Sequence, residues 1–219
     1  MRLKKNSKLI IIFSLMLVVF AVVTFYYFYS TANTDPDTIT FEEQSKNEYS
    51  VCLKDNNYFD EKCLNSERNY VAEIIDYVDI NFNYLVKYSK AVKNSYTYSV
   101  VANLIATSKD EESKILYNKE EILLPAKTYQ SEAANIDMTQ NVKIDYNKYN
   151  NIINSFRKDY VISLNSKLIV TFIIKYNGEI SKTYSDKSLN RTIKVEIPLG
   201  EQTVSISNDN NYNNTEVLH

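Results

Sequence analysis

Two glycines, one histidine, two cysteines, three prolines and no tryptophan in 219 residues leave this chain short of the usual materials of catalysis. With Gly only at 178 and 200 there is no Walker loop and no dinucleotide fingerprint, since both bring phosphate against backbone that only glycine leaves open. The single histidine is His219, so triads using imidazole as base and His-containing zinc sites are excluded. Two thiols do not make a four-thiolate zinc site. The acidic sets Glu42-Glu43, Asp110-Glu111-Glu112 and Glu120-Glu121 lack the Asp-x-Asp-x-Asp-Gly order of a calcium loop, as does Asn208-Asp209-Asn210. Neighbouring carboxylates on a strand point to opposite faces. The expectation is no cofactor, no metal and no enzyme; a Ser–Lys pair or another unmarked active site is the alternative that would leave no trace in the sequence.

What the chain does have is a long hydrophobic run. Residues 9–29, LIIIFSLMLVVFAVVTFYYFY, contain no charge, glycine or proline. About 20 residues at roughly 1.5 Å per residue match a hydrocarbon core of about 30 Å, which predicts a transmembrane helix with membrane lipid as its partner. Arg2, Lys4, Lys5 and Lys8 precede the run and Asp35 and Asp37 follow it. Positive flanks stay inside, so the N-terminus is expected in the cytoplasm and the remainder outside, with the aromatic cluster 25–29 at the outer interface. A cleaved signal peptide is the rival reading, with Ser30-Thr31-Ala32 for cleavage, but the run exceeds the usual signal core of about 7–15 residues. Outside, 21 basic residues face 27 acidic ones, a balance that argues against nucleic acid as a partner.

Four segments follow from patterning: residues 1–30 as flank and anchor, 31–47 as a polar stalk broken by Asp35-Pro36-Asp37, 48–207 as a folded ectodomain, and 208–219 as a fraying polar tail. Period-two alternation marks strands at 48–53, 78–88 and 96–106, the last two joined by SKAVKNS into a long hairpin. The stretch YVAEIIDYV also fits helical spacing, with Glu73 and Asp76 on one face, but reads better as the start of the same strand. One or two short edge strands at 115–124 end at Pro125, and another strand lies between 134 and 144. The period then changes: Tyr149, Ile152, Ile153, Phe156 and Tyr160 predict one amphipathic helix capped by Asp145. A strand resumes at 168–176, where Ile169 and Ile173 make the second face partly apolar and suggest a central strand. Asn177-Gly178 reads as a turn, and strands at about 192–199 and 203–207 complete the domain. The whole is mainly β: a two-sheet sandwich with one inserted helix behind a transmembrane anchor.

Cys52 and Cys63 bracket ten residues on the oxidising side and are a candidate disulfide, or else two small apolar residues close in sequence. Tyr84, Tyr88, Tyr96 and Tyr98 could line a carbohydrate face, but hairpin geometry favours cross-strand pairs in the core. Asn190-Arg191-Thr192 and Asn213-Asn214-Thr215 match the glycosylation pattern.

The order of N-terminal anchor, VVANLIATSKD, ILYNKEEIL, VKIDYNKYNNIINSFRKDY, SKLIVTFIIKYNGEI and RTIKVEIPL resembles a family of uncharacterised single-pass membrane proteins of archaea and Gram-positive bacteria, known only as a domain of unknown function. The resemblance implies topology and domain extent and carries no active site; the cysteine pair is not part of it. Genes of that family often lie near those for signal peptidases and surface proteins. Two functions are therefore expected: a membrane-anchored binding or structural module that holds an envelope or membrane protein partner, or an accessory subunit in secretion or processing of surface proteins.

Overall fold

A computed structural model describes residues 3–32, 38–65, 68–111, 113–180, 186–208 and 212–218, with side chains in the first of these from 13 to 29. Two compact units result and are treated separately. The first holds helix α1, Leu3–Ala32. Its described side chains are mostly apolar and exposed nearly all round, and Thr24 returns its hydroxyl to the Phe20 carbonyl at 2.8 Å. Among the described residues no helix is long and apolar enough to cross a membrane.

The second unit spans Ile39–Leu218. Its elements in chain order are β1 Ile39–Leu53, β2 Cys63–Asn65, β3 Tyr70–Val71, a 3-10 turn Ala72–Ile74, β4 Ile75–Tyr88, β5 Lys93–Ser108, β6 Ile115–Ser131, β7 Asn135–Asp145, helix α2 Tyr146–Tyr160, β8 Leu164–Glu179, β9 Lys187–Leu199, β10 Thr203–Val204, β11 Ser207–Asn208 and β12 Tyr212–Leu218. Two five-stranded antiparallel sheets form from them, and β3 pairs with β10 as a small third sheet, so the single strand expected at 203–207 is split into β10 and β11 on different sheets. Sheet 1 runs β12-β1-β4-β7, with β2 added on β1; sheet 2 runs β11-β9-β8-β5-β6. They face each other in a sandwich-like arrangement, with Phe82 of sheet 1 stacked on Phe172 of sheet 2 at 5.3 Å. Period-two burial along each strand fills the space between them: Val78, Ile80, Phe82, Tyr84, Val86 and Tyr88 from β4 meet Leu168, Val170, Phe172, Ile174 and Tyr176 from β8.

The expected helix is present. The Asp145 carboxylate accepts from the Lys148 amide at 3.0 Å, and α2 turns Tyr149 and Ile153 into the core. β8 is central in its sheet, as its two apolar faces imply.

Five expectations are corrected. The predicted hairpin does not exist, because β4 belongs to sheet 1 and β5 to sheet 2, and 89–92 cross between them. Residues 39–47 of the expected stalk form the first half of β1, paired from Phe41↔Tyr88 onward with β4. Residues 212–218 of the expected tail form strand β12, registered Ile39↔Leu218 to Ser45↔Tyr212 on β1. β6 continues past Pro125, which falls at a shift in register against β5, between the Tyr98↔Lys127 and Val100↔Leu124 pairs, where an edge strand tolerates proline. Asn177-Gly178 lies inside β8, opposite Ser95 and Asn94. A Cβ at Gly178 would come within 2.7 Å of the phenol oxygens of both Tyr176 and Tyr88, so the glycine makes room for two tyrosines. In YVAEIIDYV, strand β4 begins at Ile75 after the 3-10 turn, and Glu73 and Asp76 share no helix. Asp35-Pro36-Asp37 and His219 lie outside the described residues.

Candidate functional site

The strongest buried electrostatic feature joins the two sheets. β1 should present apolar residues inward, yet its inward face carries Glu43, Ser45 and Asn47, all buried. Arg191 reaches across from β9 and grips Glu43 with both arms, Nε to Oε1 at 2.6 Å and Nη2 to Oε2 at 2.9 Å. The Tyr84 hydroxyl donates to the same Oε1 at 2.5 Å. Burial pushes the Tyr84 phenol well above its usual range, and its bond to Glu43 adds to the rise. The Glu43 carboxylate in turn raises the Arg191 guanidinium. Nearby, Asn47 donates to the Lys194 carbonyl at 3.5 Å and receives Asn208. Both oxygens of Glu43 are engaged and it is fully buried, so this is a clamp between sheets and no acid–base site.

The four tyrosines weighed from sequence do not meet as hairpin partners. Tyr84 and Tyr88 are buried in sheet 1, whereas Tyr96 and Tyr98 are half-buried in sheet 2. Tyr176 bridges toward Tyr88 at 3.1 Å and donates to Asn94, whose amide is fixed by the Val92 and Ala133 carbonyls. Tyr129 of β6 stacks on both Tyr96 and Tyr98 at 5.3 Å. These rings spend their faces on one another.

Cys52 and Cys63 are bonded, their Cα atoms 3.9 Å apart. They stand directly opposite each other on β1 and β2, and the Leu53 amide bonds to the Lys62 carbonyl beside them. The cysteines are thus the closer, non-hydrogen-bonded kind of antiparallel pair. The bridge pins the three-residue β2 and closes the loop that carries exposed Tyr58. Glu42 and Glu43 point to opposite faces, and Glu121 pairs with Lys148 at 2.6 Å while Glu120 faces out. Among the described residues no group of acids, cysteines or histidines is placed to hold a metal. Asn190 and Asn213 of the two glycosylation patterns sit on β9 and β12.

Two surface features remain. β6 is a 17-residue strand with, among the described residues, a neighbour on one side only, and Ile115 and Ile122 on it are exposed. The outward face of sheet 1 carries two hollows, of about 410 and about 470 Å³. Sequence reasoning missed the second feature, since its residues read as the solvated face of ordinary half-buried strands. No protein-family model matches the chain, and no curated protein is significantly similar to it.

Proposed function

We propose that this chain is a membrane-anchored, extracytoplasmic binding module of the cell envelope, held by residues 9–29 with its N-terminus in the cytoplasm. The likeness to single-pass envelope proteins of unknown function belongs to the same proposal. The anchor is supported by α1, whose described apolar side chains are left open to their surroundings, a state that lipid would relieve. The observation that carries the binding reading is the free edge of β6. A row of unpaired amides and carbonyls along a long strand accepts another extended segment as one more strand. Pro125 and Lys127 interrupt and charge the far part of that edge and leave 115–124 as the usable stretch, within which Lys119 and Glu120 add charge that restricts pairing to selected partners. The partner is an envelope or membrane protein, met at raised effective concentration because the module is tethered to the same surface.

Two measurements test the reading. Protease added to intact spheroplasts should remove the sandwich, and sequencing of the retained chain should begin at Met1 or Arg2; a mature N-terminus at Asn33 overturns the anchor. Photo-crosslinking residues placed along 115–124 in living cells should capture a membrane or envelope protein. Capture of a secretion or processing component would assign the module to that machinery. Absence of any adduct there, together with turnover of a peptide or glycan by the purified chain, overturns binding as the function.

A further inference from the structure

We propose that the outward face of sheet 1 is a binding site for a neutral glycan chain, lying in a furrow along β4. This inference uses neither the anchor nor the β6 edge. The furrow exists because β4 presents short side chains outward, Asp79, Asn81 and Asn83, with Leu85 at one end, all half-buried. Longer residues of β1, Gln44, Lys46 and Glu48, flank it on one side, and Asp137, Thr139 and Asn141 of β7 stand opposite Leu85, Asn83 and Asn81 on the other. One hollow lies over Gln44, Asn83, Leu85 and Asp137, and the second over Glu48, Ser50, Asn81 and Asn141. From Asp79 to Leu85 the furrow extends about 20 Å at roughly 3.4 Å per residue, enough for several sugar rings.

The chemistry of the walls selects the ligand. The cations beside the furrow are engaged close at hand: Lys46 with Glu48 at 2.5 Å, Lys87 with Glu42 at 3.6 Å, and Lys143 over the Tyr77 ring at 3.5 Å. Each of these three cations therefore already has a partner, which weakens its pull on an anionic polymer. The amides are used at one end each. Asn83 accepts from Thr139 at 2.5 Å and keeps its NH2; Asn141 donates to Asp79 at 2.8 Å and keeps its carbonyl; Gln44 donates to Glu42 at 2.5 Å and keeps its carbonyl. Asn81, between the banks, has no side-chain hydrogen bond among the described residues. Open donors and acceptors thus alternate along the furrow, and hydroxyl groups, which donate and accept at once, are their natural complement. Leu85 offers an apolar seat in the first hollow, whose lining also includes Tyr212, suited to the C–H face of a sugar ring.

The test is native electrophoresis of the full chain in detergent through gels containing hydroxyethyl cellulose, xylan or galactomannan, followed by calorimetric titration with the hexasaccharide of whichever polymer slows it, and with chitohexaose. At least one of these neutral glycans should bind. Asn81→Ala combined with Asn83→Ala should weaken that binding about tenfold or more, while Lys175→Ala on the outer face of sheet 2 leaves it unchanged. Asn81→Phe, which fills the second hollow from an outward position, should abolish it and serves if the double variant loses its circular dichroism. Binding of none of the four glycans, retardation only by an anionic polymer such as polygalacturonate, or full binding by folded Asn81→Phe overturns the proposal. Loss of binding with β6 crosslinks intact would separate this site from the edge.

Discussion

At the scale of single residues the backbone has one conspicuous exception among the described residues. Val161 follows α2 with φ 52° and ψ 44°, the left-handed region, and its side chain is 90 % exposed. Glycine is the usual occupant of that position, because a β-branched side chain crowds the backbone there. Since Val161 packs against nothing, Val161→Gly should raise stability by about 1 kcal/mol, read as a higher midpoint in urea; an unchanged or lower midpoint would mean the valine has a hidden contact. Gly200 shows the same logic fulfilled: φ is 72°, and Arg157 lies where a Cβ would stand, donating to the Gly200 carbonyl at 2.8 Å. Asp145 was legible in the sequence because capping is local chemistry. Gly178 was not, because its reason is two phenols from strands 90 and two residues away in sequence.

At the scale of elements, Phe172 and Lys175 on β8 test the facing of the sandwich. Phe172 is fully buried between Phe82 and Tyr98, and Phe172→Ala should cost about 3–5 kcal/mol. Lys175 faces out, and Lys175→Ala should cost under about 0.5 kcal/mol. Urea melts giving equal losses would contradict the alternation. Strands with apolar inward faces were readable, and so was the helix with its three-and-four spacing. The first half of β1 was hidden because the inward residues Glu43, Ser45 and Asn47 are polar, satisfied from far along the chain: Glu43 by Arg191 and Tyr84, Ser45 by the Tyr212 amide, and Asn47 by the Lys194 carbonyl and Asn208. β12 was hidden because an edge strand with no buried residue has no pattern to show. The false hairpin has a different cause. Turn chemistry says that a chain reverses, and sequential strands usually pair, but nothing local decides whether the next strand joins the same sheet or the facing one. The glycan furrow was likewise invisible, because its banks come from three strands whose order only the fold supplies.

For the whole molecule, the tyrosines make stability depend on alkaline pH. Burial pushes Tyr70 and Tyr146 up to about 12, and raises Tyr88 and Tyr176 as well as Tyr84. A phenol with a raised pKa in the folded state favours folding fully below its ordinary value of 10.0, and that contribution is lost as pH climbs through about 12. Tyrosinate absorbance at about pH 11 should therefore be smaller in the native chain than in urea, with the remainder appearing together with cooperative unfolding. Complete ionisation with circular dichroism unchanged would show that these rings are open to water. The placement of β1 has a mechanical consequence. It is the strand by which the chain enters the sandwich, and it is held by 13 register pairs to β4 and seven to β12. Tension applied at Ile39 while the opposite end of the sandwich is held acts along this strand, across its hydrogen bonds, so the ladders on both sides must shear together. Tension applied between Ile39 and its neighbour Leu218 would instead peel β12 away one pair at a time. The same module is thus stiff toward a load drawn through its body and compliant toward one that parts its two ends.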